Sequence, residues 1–287
     1  MDERDDKENG EQSAIRNPQS AIAYYLFCLA DSSLLSTAEG TGVDGRSPLF
    51  LWRVLDIVAV LSTVSLEEFC SPAAEEKMKD LAWVGPRACR HEEIVEQVMR
   101  RSPVLPARFG TLFSSLEKLE TLIKEHHDAV SEFLVRIADK EEWAVKGLLD
   151  RPRARNEIVS KALAKEKATP SSLTPGIRYF QEQRIRADVE KQLNSWLRKT
   201  CSEVAGELSR HASDFCEGRL ISIGETTAGA DKILNWAFLV PRGAVTDFRA
   251  QIDRANAKHE RHGLAFELSG PWPPYSFCPS LVVEPGA

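Results

Sequence analysis

The feature that most constrains the fold is the order of strand-like and helix-like segments after residue 139. They follow one another as strand, helix, strand, strand, helix, strand, which predicts the split βαβ arrangement of a ferredoxin-like unit. A short apolar run at Trp143–Leu149 gives the first strand, and a helical stretch begins near Ala154. The remaining strands are predicted at Leu220–Gly224, Ile233–Val240 and Leu264–Leu268.

The longer helix of this unit is predicted from an N-cap and proline pair, Thr174-Pro175, and from the apolar stripe that follows it. The stripe comprises Ile185, Val189, Leu193, Trp196, Val204, Leu208, Ala212 and Phe215. It predicts a helix of about 40 residues that ends at Gly218. Because one small sheet cannot cover such a length, part of the helix should project or pair with another helix. A shorter helix beginning near Val245 should close at Gly263.

The first half predicts a separate sheet with helices. Strands are expected at Ala23–Leu29, Leu49–Val54 and Ile57–Val64, with a Ser/Gly-rich loop at Asp31–Ser47. Three helices should follow. The first starts at Ser71-Pro72 and is stopped by Gly85-Pro86 after Trp83, the second spans Arg90–Arg101, and the third is a single amphipathic helix over Ser115–Ile137.

At 287 residues the chain is about twice the usual domain length. We therefore predict an α+β protein of two domains. Residues 21–138 form an N-terminal α/β domain of a sheet plus helices, and residues 139–287 form a C-terminal ferredoxin-like (βαββαβ) domain with the long helix. Residues 1–20, which are acidic and polar with no apolar core, are expected to be a disordered tail without a secretory signal.

Composition excludes several classes of partner. With 37 basic and 43 acidic residues the net charge is −6, so nucleic acid is not expected as a partner. The longest apolar stretch, residues 49–64, is interrupted by Arg53 and Asp56, so no membrane span or membrane partner is expected. Six cysteines without C-x-x-C spacing indicate a reducing compartment, by default the cytosol.

The motifs that carry chemistry are weak or missing. Gly40–Gly45 matches G-x-G-x-x-G, but a strand-like run follows it where a dinucleotide site needs a helix, so we interpret it as a loop. His91-Glu92-Glu93 lacks the second histidine of a zinc protease. His259 and His262 could share a metal, but cationic side chains suit the end of a helix better. We therefore expect no catalytic residue, cofactor or metal, although a triad assembled from distant positions stays open.

Three segments are rich in aromatic residues or prolines: the connectors at residues 103–111 and 270–277 and the aromatic strand at residues 234–240. Each could simply pack on the sheet of its own domain. The alternative is a partner surface, because Trp, Tyr and Arg often dominate binding energy. The candidate partner-binding residues are Arg108, Phe109, Trp272 and Tyr275.

The same segments resemble the GvpF/GvpL family of gas vesicle proteins. The strings that carry the resemblance are Tyr24–Phe27 (YYLF), Val104–Phe113 (VLPARFGTLF), Glu142–Lys146 (EWAVK), Leu234–Val240 (LNWAFLV) and Gly270–Phe277 (GPWPPYSF). They run from about Ala23 to Phe277, in the family's order. The charged tail and the Asp31–Ser47 insertion depart from the family's compact start.

The resemblance implies a two-domain α+β fold with a ferredoxin-like second part. It also implies a cytoplasmic accessory or minor structural protein that is associated with the gas vesicle. The implied partners are the small hydrophobic shell protein GvpA and other gas vesicle accessory proteins. No catalytic residue is carried over, so an enzyme is not expected. The alternative is an enzyme or ligand-sensing protein on a ferredoxin-like scaffold, a fold with many functions. The strings do not separate the F type from the L type.

Overall fold

The computed structural model describes residues 22–69, 71–167, 175–218 and 230–281. In these ranges the chain forms two antiparallel sheets with helices packed against them. The strands of the first sheet are β1 (Ile22–Asp31), β2 (Phe50–Val54), β3 (Ile57–Ser65), β4 (Val104–Pro106) and β5 (Leu112–Phe113). Those of the second sheet are β6 (Lys140–Leu149), β7 (Asp214–Glu217), β8 (Asp231–Pro241) and β9 (Leu264–Trp272).

The helices lie between these strands along the chain. They are α1 (Leu66–Phe69), α2 (Pro72–Lys77), α3 (Leu81–Met99), α4 (Leu116–Glu125), α5 (His127–Ile137), α6 (Arg151–Lys167), α7 (Pro175–Ser209) and α8 (Val245–His259). Short 3-10 turns occur at Arg242–Ala244, Glu260–His262 and Tyr275–Phe277.

The first sheet is built around β1, in the order β2-β3-β1-β4, with β5 also pairing with β1. The side chains of β1 are buried alternately in two clusters. Phe27 packs with Val95 of α3 on one face, whereas Leu29 packs with Leu119 of α4 on the other. Burial on both faces explains why this strand is continuously apolar. The strands predicted at Ala23–Leu29, Leu49–Val54 and Ile57–Val64 are confirmed.

The prediction for the first two helices is wrong at their boundary. Ser71 caps a helix as expected, accepting a hydrogen bond from the backbone N of Ala74 at 3.2 Å, but α2 ends at Lys77. A new helix begins after Asp80, whose Oδ1 accepts from the backbone N of Ala82 at 2.9 Å, and it continues through Gly85-Pro86. Pro86 removes one backbone donor near the start of α3, and the buried face further along the helix outweighs that loss.

The helix predicted over Ser115–Ile137 is divided into α4 and α5. His126 interrupts it with backbone angles of φ −109° and ψ 16°, outside the helical region. At this bend the ring of His127 contacts Asp56 in the turn between β2 and β3. Ile123 and Val130 still enter one apolar cluster, so the predicted stripe is correct although the helix is not continuous.

The second sheet has the strand order β7-β8-β6-β9, with every neighbouring pair antiparallel. Its core forms where Trp143 of β6 and Phe238 of β8 meet Phe248 of α8 and Leu208 of α7. The strands predicted at Trp143–Leu149, Ile233–Val240 and Leu264–Leu268 are confirmed. Helix α8 ends at His259, and a 3-10 turn leads from it to Gly263, which has a φ of 85°. Glycine is required there, because an added Cβ would lie 2.8 Å from the carbonyl oxygen of Asp150.

The predicted end of the long helix at Gly218 is wrong. Helix α7 ends at Ser209, and residues 214–217 form the edge strand β7 on β8. The ring of Phe215 lies 4.8 Å from that of Phe238, so this end of the predicted apolar stripe belongs to a strand and not to the helix. The expected pairing of α7 with another helix is confirmed, since Leu193 packs with Ala154 of α6.

Three predictions lie outside the described residues: the tail 1–20, the cap at Thr174 and the strand Leu220–Gly224.

One apolar cluster contains side chains from both sheets. Leu29 of β1, Ile137 of α5 and Leu239 of β8 belong to it, together with Phe277 from the segment after β9. We call this cluster the junction core. The two sheets therefore share a contact through apolar side chains, with α5 between them in the sequence.

Truncating Leu193 to Ala tests the packing of α7. Leu193 has 0% of its surface exposed, so we expect Leu193→Ala to lower the free energy of unfolding by about 2–5 kcal/mol. Urea unfolding monitored by circular dichroism measures this. Lys199→Ala is the matched control on the exposed side of the same helix and should change stability by less than about 0.5 kcal/mol. Equal effects of the two substitutions would show that α7 does not pack as described.

Candidate functional site

The segment Gly270–Cys278, which we call the C-terminal strap, leads from the second sheet onto the first half of the chain. Gly270 has a φ of 137°, and a Cβ there would lie 2.9 Å from the carbonyl oxygen of Glu142, so glycine is required. Three prolines restrict the following backbone, and a 3-10 turn covers Tyr275–Phe277. Phe277 is 8% exposed and lies in the junction core.

Polar contacts anchor the strap on both halves. The hydroxyl of Tyr275 donates to Oε2 of Glu92 in α3 at 3.0 Å and lies 3.2 Å from Nε2 of His91. Ser276 donates from its backbone N to Oε2 of Glu142 in β6 at 3.0 Å, and from its Oγ to Oε1 at 2.6 Å. The two carboxylates therefore hold consecutive residues of the strap.

The contacts of His91 fix its protonation. Its Nε2 lies 3.1 Å from the carbonyl oxygen of Ala107, which can only accept, so Nε2 carries the hydrogen. Nδ1 then accepts from the hydroxyl of Tyr25 at 3.0 Å. The oxygen of that hydroxyl accepts in turn from the backbone N of Gly110 at 3.0 Å. The imidazole is thus neutral and links β1, α3 and the loop after β4.

Burial sets the ionisation of these groups. It lowers the pKa of His91 to about 4, because charging an imidazole away from water is unfavourable. Burial raises the pKa of Glu92, and Glu96 adds to this by charge repulsion. Burial also raises the pKa of Glu142. The pKa of Tyr275 is raised by burial and by the nearby Glu92, so its hydroxyl keeps its proton as a hydrogen-bond donor.

The structure divides the four candidate residues into two pairs. Tyr275 and Phe109 come together around His91, since the ring of Phe109 lies 6.0 Å from the imidazole. Arg108 is exposed, and its carbonyl oxygen accepts from Thr111. Trp272 is 38% exposed, with Nε1 donating to Oγ of Ser269 at 3.3 Å. Arg108 and Trp272 are therefore the exposed pair, whereas Phe109 and Tyr275 are half-buried.

Sequence reasoning missed the roles of Glu92 and Glu142, which hold the strap, and of His91 and Tyr25, which lie behind it. Glu142 is 6% exposed and His91 is 2% exposed, although both are polar. The sequence around His91 and Glu92 is charged, and Glu142 precedes the predicted strand, so local pattern gives no signal for these three residues. Only Tyr25 stands among apolar residues in a predicted strand. Such a position predicts a buried polar group with a partner, but the sequence does not say which one.

A cleft lies between the two halves beside the strap. Its volume is about 180 Å³, and it is lined by Ser102 and Pro103 from the first half and by Lys140, Trp272 and Pro274 from the second. We call it the junction cleft. Trp272 stands at this cleft, so the exposed aromatic side chain of the strap borders a concave surface.

Within the described ranges, no group of three or more His, Cys, Asp or Glu side chains could hold a metal ion. His259 is buried, whereas His262 contacts Oε1 of Glu157 through Nδ1 at 3.1 Å. The loop at Gly40–Gly45 leads into strand β2, so the loop interpretation is confirmed. None of the helices in these ranges combines the length and the apolar character needed for crossing a membrane.

Comparison with known proteins decides the family. A family model described as "Gas vesicle synthesis protein GvpL/GvpF" matches residues 23–279. The chain belongs to the GvpL/GvpF family of gas vesicle proteins. It is 26% identical over 242 residues to Gas vesicle protein L of Streptomyces sp. (strain CB03234), covering 84% of this chain and 86% of the relative. It is 24% identical to Gas vesicle protein F of the same strain, covering 89% and 99%. Members of both types therefore match.

Solved GvpF structures share the fold. GvpF from Anabaena sp. PCC7120 superimposes with a TM-score of 0.64 at 20% sequence identity, covering 90% of this chain and 97% of that one. GvpF from Microcystis aeruginosa gives a TM-score of 0.61 at 17% identity, with 90% and 99% covered. The mixed helix and sheet architecture with two antiparallel sheets is that of GvpF. The family gives this chain a role connected with gas vesicles.

Removing the hydroxyl of Tyr275 tests the anchoring of the strap. Tyr275→Phe leaves the half-buried Glu92 without this donor, so we expect a loss of about 1–3 kcal/mol in the free energy of unfolding. Tyr24→Phe is the control, because the Tyr24 ring packs against Phe50 outside this network, and it should change stability by less than about 0.5 kcal/mol. Chemical denaturation measures both, and a neutral Tyr275→Phe would contradict the anchoring role.

The lowered pKa of His91 predicts a pH-dependent stability. Between pH 6.5 and pH 4 the unfolded chain binds a proton at His91 that the folded chain does not, so acid destabilises the fold. The loss from this residue between pH 7 and pH 5 should be about 2 kcal/mol. Glu92 and Glu142 act in the opposite direction, since their raised pKa values favour the folded chain as pH falls.

The contribution of His91 is isolated by comparing the parent with His91→Gln. Urea unfolding at pH 7, 6 and 5 should show the stability difference between the two proteins shrinking as pH falls, because the variant lacks the titrating group. Parallel stability curves for parent and variant would show that His91 is not buried in its neutral form.

Proposed function

We propose that this protein is a gas vesicle accessory or minor structural protein that binds the hydrophobic shell subunit GvpA and assists vesicle assembly, without catalysis. The observation that carries the proposal is the family match over residues 23–279. On this proposal the protein acts in the cytoplasm in association with the gas vesicle, and it needs no cofactor or metal.

A physical need for such a protein follows from the shell subunit. A large exposed apolar surface on an unassembled subunit favours aggregation until the surface is covered. A partner with a few exposed apolar side chains on an otherwise polar surface can cover it temporarily. Among the exposed large apolar side chains of the described residues, Leu34 and Trp272 border the junction cleft together.

We propose Trp272 as the central contact, with Arg108, Phe109 and Tyr275 as the further predicted contacts. Trp272 is exposed while its neighbours in the strap are held by Glu92, Glu142 and the junction core. A side chain presented by an anchored segment loses less conformational freedom on binding than one in a mobile loop. Phe109 and Tyr275 are half-buried, so they can offer only part of their rings.

We further propose that residues 21–138 and 139–287 are two domains and that the second is ferredoxin-like. The strand order supports this, because the fourth strand of the second sheet lies beside the first, followed by the third and the second. Helices α6 and α7 connect its first two strands, and α8 connects its last two. The junction core then becomes the interface between the domains.

One observation favours the alternative of an enzyme or ligand sensor on this scaffold. Glu142 lines the junction cleft and has a raised pKa, as catalytic acids often do. Both of its carboxylate oxygens, however, accept hydrogen bonds from Ser276. A carboxylate engaged in this way is explained by its structural role, so we favour the assembly function.

Co-purification tests the proposal. Tagged full-length protein is co-expressed with the shell subunit GvpA of the same organism and purified on the tag. The parent should retain that subunit, and Trp272→Ala should reduce the retained amount about fivefold or more. Leu81→Ala is the control, because Leu81 is 83% exposed and is the first residue of α3, whereas the junction cleft lies at the other end of that helix. Melting temperatures of each variant separate lost binding from lost folding.

Two results would contradict parts of the proposal. If Trp272→Ala and Phe109→Ala both fold and retain the subunit as the parent does, these contacts are wrong. If no gas vesicle component is retained by the parent, the assembly function itself is wrong.

A further inference from the structure

The junction cleft adjoins a second concave surface on the first half. This second cavity has a volume of about 370 Å³ and lies between α3 and the residues that follow β1. We call it the outer groove. Arg100 and Arg101, which follow α3, line both cavities. The two cavities are therefore neighbours that meet at a pair of arginines.

Apolar side chains lie on both sides of this arginine pair. In the junction cleft they include Leu34, which is 53% exposed, and Trp272. In the outer groove they include Leu49 and Ile94. Two exposed large apolar side chains thus border one cleft although they come from opposite halves of the chain, and an apolar groove continues beyond the arginines.

Cationic side chains outnumber carboxylates in the lining of this surface. Lys140 and Arg242 line the junction cleft in addition to the arginine pair. Among the described residues, the carboxylate that lines this cleft is Glu142, which is buried and holds Ser276. Glu39 lines the outer groove, Lys140 lies 2.6 Å from Asp139, and Arg242 lies 3.6 Å from Glu141. The positive charge that this surface leaves for a partner therefore lies at the arginine pair.

In the part of the chain that the structure describes, the guanidinium groups of the arginine pair have only long contacts. Arg100 lies 3.8 Å from Glu96, and Arg101 lies 3.5 Å from the carbonyl oxygen of Thr37. A guanidinium carries five N–H donors in a planar fork that fits a carboxylate. Most of these donors are available to a partner, and a carboxylate placed there would gain charge-assisted hydrogen bonds.

We propose that the junction cleft and the outer groove together bind one extended segment of a partner protein that carries a carboxylate between apolar side chains. The carboxylate contacts Arg100 and Arg101, one apolar flank packs on Trp272 and Leu34, and the other enters the outer groove. The inference rests on the proposed function for the identity of the partner, the shell subunit, and adds where that subunit binds and what chemistry the surface selects.

A structural role for the arginines makes a different prediction. Cationic side chains at the C-terminal end of a helix stabilise it through the helix dipole, and Arg100 is the C-cap of α3. If this were their only role, substituting them would change stability and leave binding unaffected. Binding and stability must therefore be measured on the same variants.

Fluorescein-labelled, overlapping 15-residue peptides that cover the shell subunit provide the probe, and anisotropy with the full-length protein measures their affinity. The tightest peptide should contain Asp or Glu between apolar residues. Replacing that acid by its amide should weaken binding about tenfold. Raising NaCl from 50 to 500 mM should also weaken binding, because salt screens the contact.

The variants then locate the surface. We expect Arg100→Gln/Arg101→Gln to weaken binding of this peptide about tenfold, and Leu34→Ala and Trp272→Ala about fivefold each. The controls are Lys199→Gln for charge and Leu81→Ala for an exposed apolar side chain, and both should bind within about twofold of the parent. If the double variant is unstable, Arg101→Gln alone serves in its place.

The outcomes separate this inference from the proposed function. If the full-length shell subunit co-purifies but the arginine and Trp272 variants bind as the parent does, the surface is wrong and the assembly function stands. The same conclusion follows if the tightest peptide contains no acidic residue. If neither the subunit nor any peptide binds, both are wrong.

Discussion

The rest of the structure depends on the junction core, where the two sheets share one apolar cluster. Leu29 from the centre of the first sheet and Leu239 from the second lie in the same cluster, and Phe277 of the strap completes it. Separating the sheets would expose these side chains to water at a cost of about 25 cal/mol for each Å² of apolar surface. Apolar burial brings the two halves together, but it does not by itself determine their relative position, because it has no direction.

The polar contacts of the strap supply that direction. Tyr275 reaches the half-buried Glu92 on the first half, and Ser276 reaches the buried Glu142 on the second, so two adjacent residues connect the halves through these carboxylates. A buried polar group that loses its partner is costly, which makes any other arrangement of the halves unfavourable. The junction cleft depends on this geometry, because Ser102 comes from one half and Lys140 from the other.

The sequence predicts those parts of the fold that depend on local patterns. Strands β1, β3, β6 and β8 follow from runs of β-branched and aromatic residues, and the buried faces of α4 and α5 follow from helical spacing. The ends of helices depend on competition that local patterns do not show. Pro86 is tolerated because α3 packs well, and the end of the α7 stripe becomes strand β7 because β8 offers an edge. The buried contacts among His91, Glu92 and Tyr275 join residues about 184 positions apart, so composition and spacing cannot reveal them.

The strap combines side chains that are anchored inside the molecule with one aromatic side chain that stays exposed. Its resemblance to the family gives no assignment of individual side chains, because the GvpF structures from Anabaena sp. PCC7120 and Microcystis aeruginosa are 20% and 17% identical to this chain, a likeness that shows the fold alone. The contacts instead distinguish these side chains. Tyr275 and Phe277 point into the molecule and Ser276 donates to the buried Glu142, whereas Trp272 remains 38% exposed beside them. The prolines and these contacts fix the backbone that carries Trp272, so a partner that binds this side chain, as we propose, loses less free energy to ordering than it would at a mobile loop.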